Sequence, residues 1–192
     1  LHKQEDVDVL LMGYDHHFGS DQLMGFSEYE KVARRVGLRV ERAHECLVDA
    51  LPVSSTRIRK LLDEAQIRQV NRLLGYEYSL TGVVEHGNGI GNQLGFPTAN
   101  IHIDTTKHLP ASGVYTAHTQ IDDVVYSALV NIGHNPTVGN QQLSVEAHIV
   151  GYRGDLYGHQ LSIRFKDFVR PEQKFASLTD LQQQIEKDMQ ML

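Results

Sequence analysis

The sequence predicts an α/β segment followed by a β-rich domain that ends in a helix. Three observations carry this. Residues 1–74 alternate strand and helix signals. Residues 79–170 hold six short β-rich runs separated by Gly, Pro, Asn or Asp. Residues 177–189 repeat apolar side chains at helical spacing. The alternation implies parallel strands covered by helices. Six short strands in so short a stretch imply a small closed antiparallel barrel or a sandwich.

The elements follow in order. Val7-Asp8-Val9-Leu10-Leu11-Met12 is a nearly continuous apolar run and reads as a strand covered on both faces. It leads into the glycine-bracketed loop Gly13-Tyr14-Asp15-His16-His17-Phe18-Gly19. Residues 26–36 form a helix with Tyr29, Val32, Ala33 and Val36 on one face. Residues 38–40 are a short strand, and Pro52-Val53-Ser54-Ser55 opens the next helix. A helix ending at Gly75 joins the two parts, so that 1–64 is read as one domain, 65–78 as a linker helix and 79–192 as the second domain. The six β runs are 80–85, 99–103, 114–121, 124–131, 144–150 and 160–168. Ile121-Asp122-Asp123-Val124 reads as a hairpin, although its turn lacks the favoured glycine. Ser177 caps the last helix, with Asp180 three residues on, and its stripe of Leu178, Leu181, Ile185 and Met189 reads as core packing.

Composition narrows the function classes. A chain of 192 residues makes one or two domains. It is 41% hydrophobic and 22% charged, as in ordinary globular proteins. No apolar run approaches the length of a membrane-spanning helix, and the polar opening Leu1-His2-Lys3-Gln4-Glu5-Asp6 is unlike a secretory signal. The single cysteine, Cys46, excludes an internal disulfide and a cysteine metal cage, which fits a reducing cytoplasm. The net charge is −6, and residues 63–192 carry 9 basic against 14 acidic side chains. A nucleic-acid binder needs a basic face, so neither nucleic acid nor membrane is an expected partner. The 11 histidines show no His-x-x-x-His spacing, which argues against zinc.

Three constellations remain. In Val53-Ser54-Ser55-Thr56-Arg57-Ile58-Arg59 a helix opens with hydroxyls and arginines and no acid. Cations at a positive helix end are unfavourable unless an anion joins them, so Ser54, Ser55, Thr56 and Arg59 form a candidate phosphate site. The competing reading is a capped surface helix with solvated arginines. The second is the glycine-rich stretch 82–100, with Gly87, Gly89, Gly91 and Gly95 ahead of Pro97-Thr98-Ala99-Asn100. It is neither a Walker loop nor a dinucleotide fingerprint, since Asn92 stands where the third glycine belongs and no helix signal follows. It reads as a flexible flap, or as an ordinary surface loop. Thr98 and Asn100 share one face of an extended segment and offer hard oxygens suited to Mg2+. In the third, Ser144-Val145-Glu146-Ala147-His148-Ile149-Val150, alternation puts Glu146 and His148 opposite the apolar residues. Glu146 is a candidate base, or part of a solvated strand face.

Gly95-Phe96-Pro97-Thr98-Ala99-Asn100-Ile101, behind its glycine flap, closely resembles the signature of riboflavin kinases. Gly113-Val114-Tyr115, Asn131-Ile132-Gly133 with Pro136-Thr137, Val145-Glu146-Ala147-His148, Asp155-Leu156-Tyr157-Gly158 and Phe168-Val169-Arg170-Pro171-Glu172 with Phe175 follow in the same order. The front part resembles the end of the other half of bacterial bifunctional riboflavin kinase/FMN adenylyltransferases (FAD synthetases). There Asp15 falls in a Gly-x-Asp/Asn-Phe-x-Phe-Gly-like loop, and residues 53–59 match a phosphate-holding Ile-Ser-Ser-Thr-x-x-Arg motif.

The resemblance implies an incomplete, Rossmann-type nucleotidyltransferase-like α/β fragment, followed by a six-stranded antiparallel β-barrel with a C-terminal helix. It implies transfer of the ATP γ-phosphate to the riboflavin 5′-hydroxyl, giving FMN. Glu146 would be the base, Thr98 and Asn100 would hold Mg2+, and flap glycines would wrap the phosphates. Arg170, Glu172 and the last helix would lie on the flavin side. Two departures are noted. The chain opens on Leu1 and has no His-x-x-His motif, so the front of the adenylyltransferase domain is expected to be missing and FAD formation lost. Gly91-Asn92 stands where the family usually has Gly-Arg, which removes one phosphate contact. The alternative is a flavin- or nucleotide-binding module without catalysis.

Overall fold

A computed structural model describes residues 7–13, 25–87, 90–134 and 143–192. The chain divides into two compact units, residues 1–53 and 54–192. In the first, β1 (Val9–Met12) pairs in parallel with β2 (Arg39–Arg42), and α1 (Phe26–Arg35) connects them. Met12, Ala33 and Val40 are buried, with Leu10, Phe26, Tyr29 and Leu38 packed around them. Here β1 departs from the expected strand covered on both faces. Leu10 and Met12 meet the core, while Leu11 on the other face is 65% exposed. A tight hairpin joins β3 (Leu47–Val48) to β4 (Leu51–Pro52), with Asp49 and Ala50 both at positive φ.

The second unit begins with α2 (Ser55–Asp63) and α3 (Ile67–Leu74). Ser54 caps α2 by accepting the Arg57 N–H, and Gly75 ends α3 in the left-handed conformation. Both helices sit in the barrel's unit, although the sequence places a boundary at 64 and a linker over 65–78. The reason is burial: Leu62, Ile67 and Val70 are part of the barrel core. Asn71 ties α3 in place, donating to the Phe165 carbonyl at 2.8 Å and accepting the Tyr78 N–H at 2.7 Å.

Six strands close the barrel: β5 (Ser79–Glu85), β6 (Ala99–Ile103), β7 (Gly113–Ile121), β8 (Val124–His134), β9 (Leu143–Ile149) and β10 (Gln160–Arg170). Their order around the ring is β10-β5-β6-β9-β8-β7, all antiparallel. Alternation fills the interior: Leu80 and Val84 of β5 and Val145, Ala147 and Ile149 of β9 are buried. The β7–β8 hairpin turns on Asp122 and Asp123, both at positive φ. Short polar side chains bond locally and tolerate this conformation, so no glycine is needed.

Two differences bear on the site. A helical turn, α4 (Ile90–Gln93), stands in the glycine-rich stretch where no helix is expected. The stripe of the last helix, α5 (Leu178–Met189), does not enter the core. Leu178 is 56% exposed, and Leu181 and Ile185 line a cavity instead.

Candidate active site

One line of residues runs around the outside of the barrel. Glu85 pairs with Asn100, Asn100 with Glu146, Glu146 with Asn131, Asn131 with Val114, and Val114 with Arg170. Directly paired residues point to the same face, so all six strands contribute one member to this belt. Arg170 joins it because β10 shifts register twice, between Phe165 and Asp167 and again between Phe168 and Arg170. The two shifts together add two residues to β10, so Arg170 rather than Phe168 stands opposite Val114.

Glu146 is the centre of the belt. The Thr98 side chain hydrogen-bonds to its carboxylate, which favours the charged form. Burial acts more strongly in the other direction and raises its pKa. The Thr98 segment is fastened to β9: the His148 ring donates from Nδ1 to the Pro97 carbonyl at 2.9 Å, and its edge meets the Phe96 ring. The turn is closed by the Phe96 N–H donating to the Gly91 carbonyl at 2.8 Å. A Cβ on Gly91 would overlap the Phe96 carbonyl and press on Thr98, and one on Gly87 would overlap the Asn100 amide. These glycines give room to the chain's own Thr98 and Asn100.

Two cavities meet here. The larger, about 330 Å³, lies between the barrel's outer face and α5, within the usual size of small-molecule sites. Its apolar walls include Phe96, Val114, Leu129, Phe175, Leu181 and Ile185, and its polar lining includes Thr98, Asn131 and Glu146. The second, about 200 Å³, opens at the barrel end between Val84, Ala99, Ala147 and the 152–157 loop. Thr98 lines both.

The riboflavin kinase family model matches residues 74–192. The chain belongs to the riboflavin kinase family. It is 37% identical over 184 residues to a bifunctional riboflavin kinase/FMN adenylyltransferase of Pseudomonas fluorescens, covering 95% of this chain. A protein of the same description from Haemophilus influenzae is 34% identical over 96% of this chain. The chain spans 59% and 60% of the length of these two relatives. A crystal structure described as a macrolide-efflux protein from Streptococcus pneumoniae superposes with a TM-score of 0.78 at 29% identity, covering 93% of this chain and 57% of that one.

Against the family pattern, the structure brings together Thr98, Asn100, Glu146, Gly87 and Gly91, and sets Arg170 and Glu172 in the lining of the larger cavity. Gly95 takes a positive φ at the end of the α4 turn. The Arg170 guanidinium is held by Asp188, which lines the same cavity. Ser54, Ser55, Thr56 and Arg59 line neither cavity. Asp15 and Gly89 lie outside the described residues, as do Pro136 and Thr137. Sequence reasoning set His148 beside Glu146 on a strand face suited to a base, and gave no role to Asn131 or Asp188. Asp188 had a legible signal: it shares a helical face with Leu181 and Ile185, where an acid interrupts an apolar stripe.

Proposed function

We propose that this chain transfers the γ-phosphate of ATP to the 5′-hydroxyl of riboflavin, giving FMN and ADP. The observation that carries this reading is the meeting of two cavities at Thr98, with Glu146 bonded to the same hydroxyl. A two-substrate transfer needs two pockets whose contents touch at one point. The larger, apolar-walled cavity suits the flavin ring, with its ribityl chain directed at Glu146. The smaller one suits the nucleotide.

Glu146 accepts the hydroxyl proton as that oxygen bonds to the γ-phosphorus and the bond to the β–γ bridging oxygen breaks. A raised pKa makes its carboxylate a better proton acceptor. Thr98 and Asn100, with Glu146 beside them, offer only hard oxygen donors, a set that fits Mg2+. Thr98 and Asn100 would hold the ion, which supplies neutralisation of phosphate charge when bound. The backbone around Gly87, Gly91 and Gly95 provides N–H groups for the phosphates. Arg170 and Glu172 belong to the flavin side.

Residues 1–64 we read as the end of an adenylyltransferase domain, with Ser54, Ser55, Thr56 and Arg59 as its phosphate-facing residues. Incubation of this chain with riboflavin, ATP and Mg2+, followed by chromatography, tests the reading. FMN without FAD is the expected result. Retained riboflavin with no FMN would replace a kinase by a binding module, and FAD would show that the front segment keeps its chemistry.

A further inference from the structure

Arg170 stands at the edge of the larger cavity with each of its three guanidinium nitrogens in a polar contact. Nε donates to the two carboxylate oxygens of Asp188 at 3.1 and 2.9 Å, and Nη2 lies 2.8 Å from Oδ2. Nη1 donates to the Pro171 carbonyl at 3.2 Å, and the guanidinium carbon lies 5.7 Å from the centre of the Phe175 ring. Asp188 is 2% exposed and also accepts from Gln184 Nε2 at 2.8 Å. An acid in the last turn of a helix opposes the helix dipole, and burying it requires a well-formed partner. The planar fork of Arg170 supplies one. Leu181 and Ile185, on the same face of α5 as Asp188, form one wall of the cavity, and Val114 and Leu129 of the barrel form another.

We infer that the Arg170–Asp188 pair is a latch that seats α5 on the barrel and so sets the width of the apolar end of the cavity. Asp188 is then a positioning residue for the flavin ring and takes no part in phosphate transfer. This rests on the reading that the cavity receives riboflavin. Neither Arg170 nor Asp188 lines the second cavity, so the effect is confined to one substrate.

Asp188→Asn keeps the side-chain volume and removes the charge. Riboflavin binding followed by flavin fluorescence, together with steady-state kinetics, gives the readout. The expected result is a rise of roughly tenfold or more in riboflavin Kd and KM, as when the seated population falls to about a tenth. KM for ATP and kcat at saturating riboflavin should stay within about twofold. An unchanged riboflavin Kd, or a loss confined to kcat, overturns the latch. If thermal melting shows that Asp188→Asn does not fold, Asp188→Glu decides: it keeps the charge and moves the carboxylate by one methylene, away from the Arg170 fork, and the same flavin-only rise is required. A wild-type chain that neither binds nor phosphorylates riboflavin would instead overturn the kinase reading.

Discussion

Burial and the Thr98 hydroxyl act on Glu146 in opposite directions, and burial is the larger influence. Two outcomes follow at this residue. Glu146→Gln keeps an acceptor for Thr98 but cannot take a proton, so turnover should fall by roughly 10²–10⁴-fold, with much smaller changes in KM, as read by FMN formation. The acid limb of the wild-type rate profile should lie above the ordinary glutamate value of 4.5. The same shift has a stability consequence. Between that value and the raised one, the folded chain holds more protons than the unfolded chain, so stability falls as pH rises through the window. Glu146→Gln removes this loss, and its Tm at neutral pH should exceed that of the wild type. A lower Tm would mean that the carboxylate's contacts outweigh its desolvation. The signature residues Thr98, Asn100 and Glu146 were legible because their types suit oxygen-ligand and base chemistry. Asn131 was not, since an amide inside an apolar strand has no periodicity of its own to reveal what it faces.

Asn71 shows how elements are joined. It serves one donor and one acceptor of the barrel backbone from the side of α3. Asn71→Ala leaves the Phe165 carbonyl and the Tyr78 N–H without this partner, and should cost about 1–3 kcal/mol in denaturant unfolding. Activity should persist, because neither cavity touches α3. A cost below about 0.5 kcal/mol, the low end for a net hydrogen bond, would show that other groups or water replace it. Strands were easy to read at this scale, because burial alternates along β5 with period two. The α4 turn was not, because Gly91 and Asn92 are weak helix formers and closure depends on the Gly91–Phe96 hydrogen bond. The two register shifts of β10 were invisible for a similar reason: nothing in Phe165–Lys166–Asp167 breaks the pattern of a regular strand. The apolar stripe of α5 identified the helix correctly. A stripe specifies a face, not whether that face meets core or ligand, and here it meets a cavity.

At the scale of the molecule the two units are unequal. Among the described residues the first has three buried apolar side chains, and a domain of its size is marginal. The second has a continuous core through the barrel, α2 and α3. Limited proteolysis should therefore cut within residues 1–53 first, and a chain of residues 54–192 should still make FMN at a rate comparable to the full chain. Loss of FMN formation in that shorter chain would show that the kinase depends on the first unit. The belt that joins Asn100, Glu146, Asn131 and Arg170 through all six strands has an evolutionary consequence as well. One residue inserted into any of these strands would turn that strand's belt member toward the core unless a bulge takes it up, as happens twice in β10. Because the ring is closed, no edge strand can absorb the change. Descendants of this fold can lengthen connections such as 104–112 freely, but they inherit the strand lengths between belt members as a fixed measure.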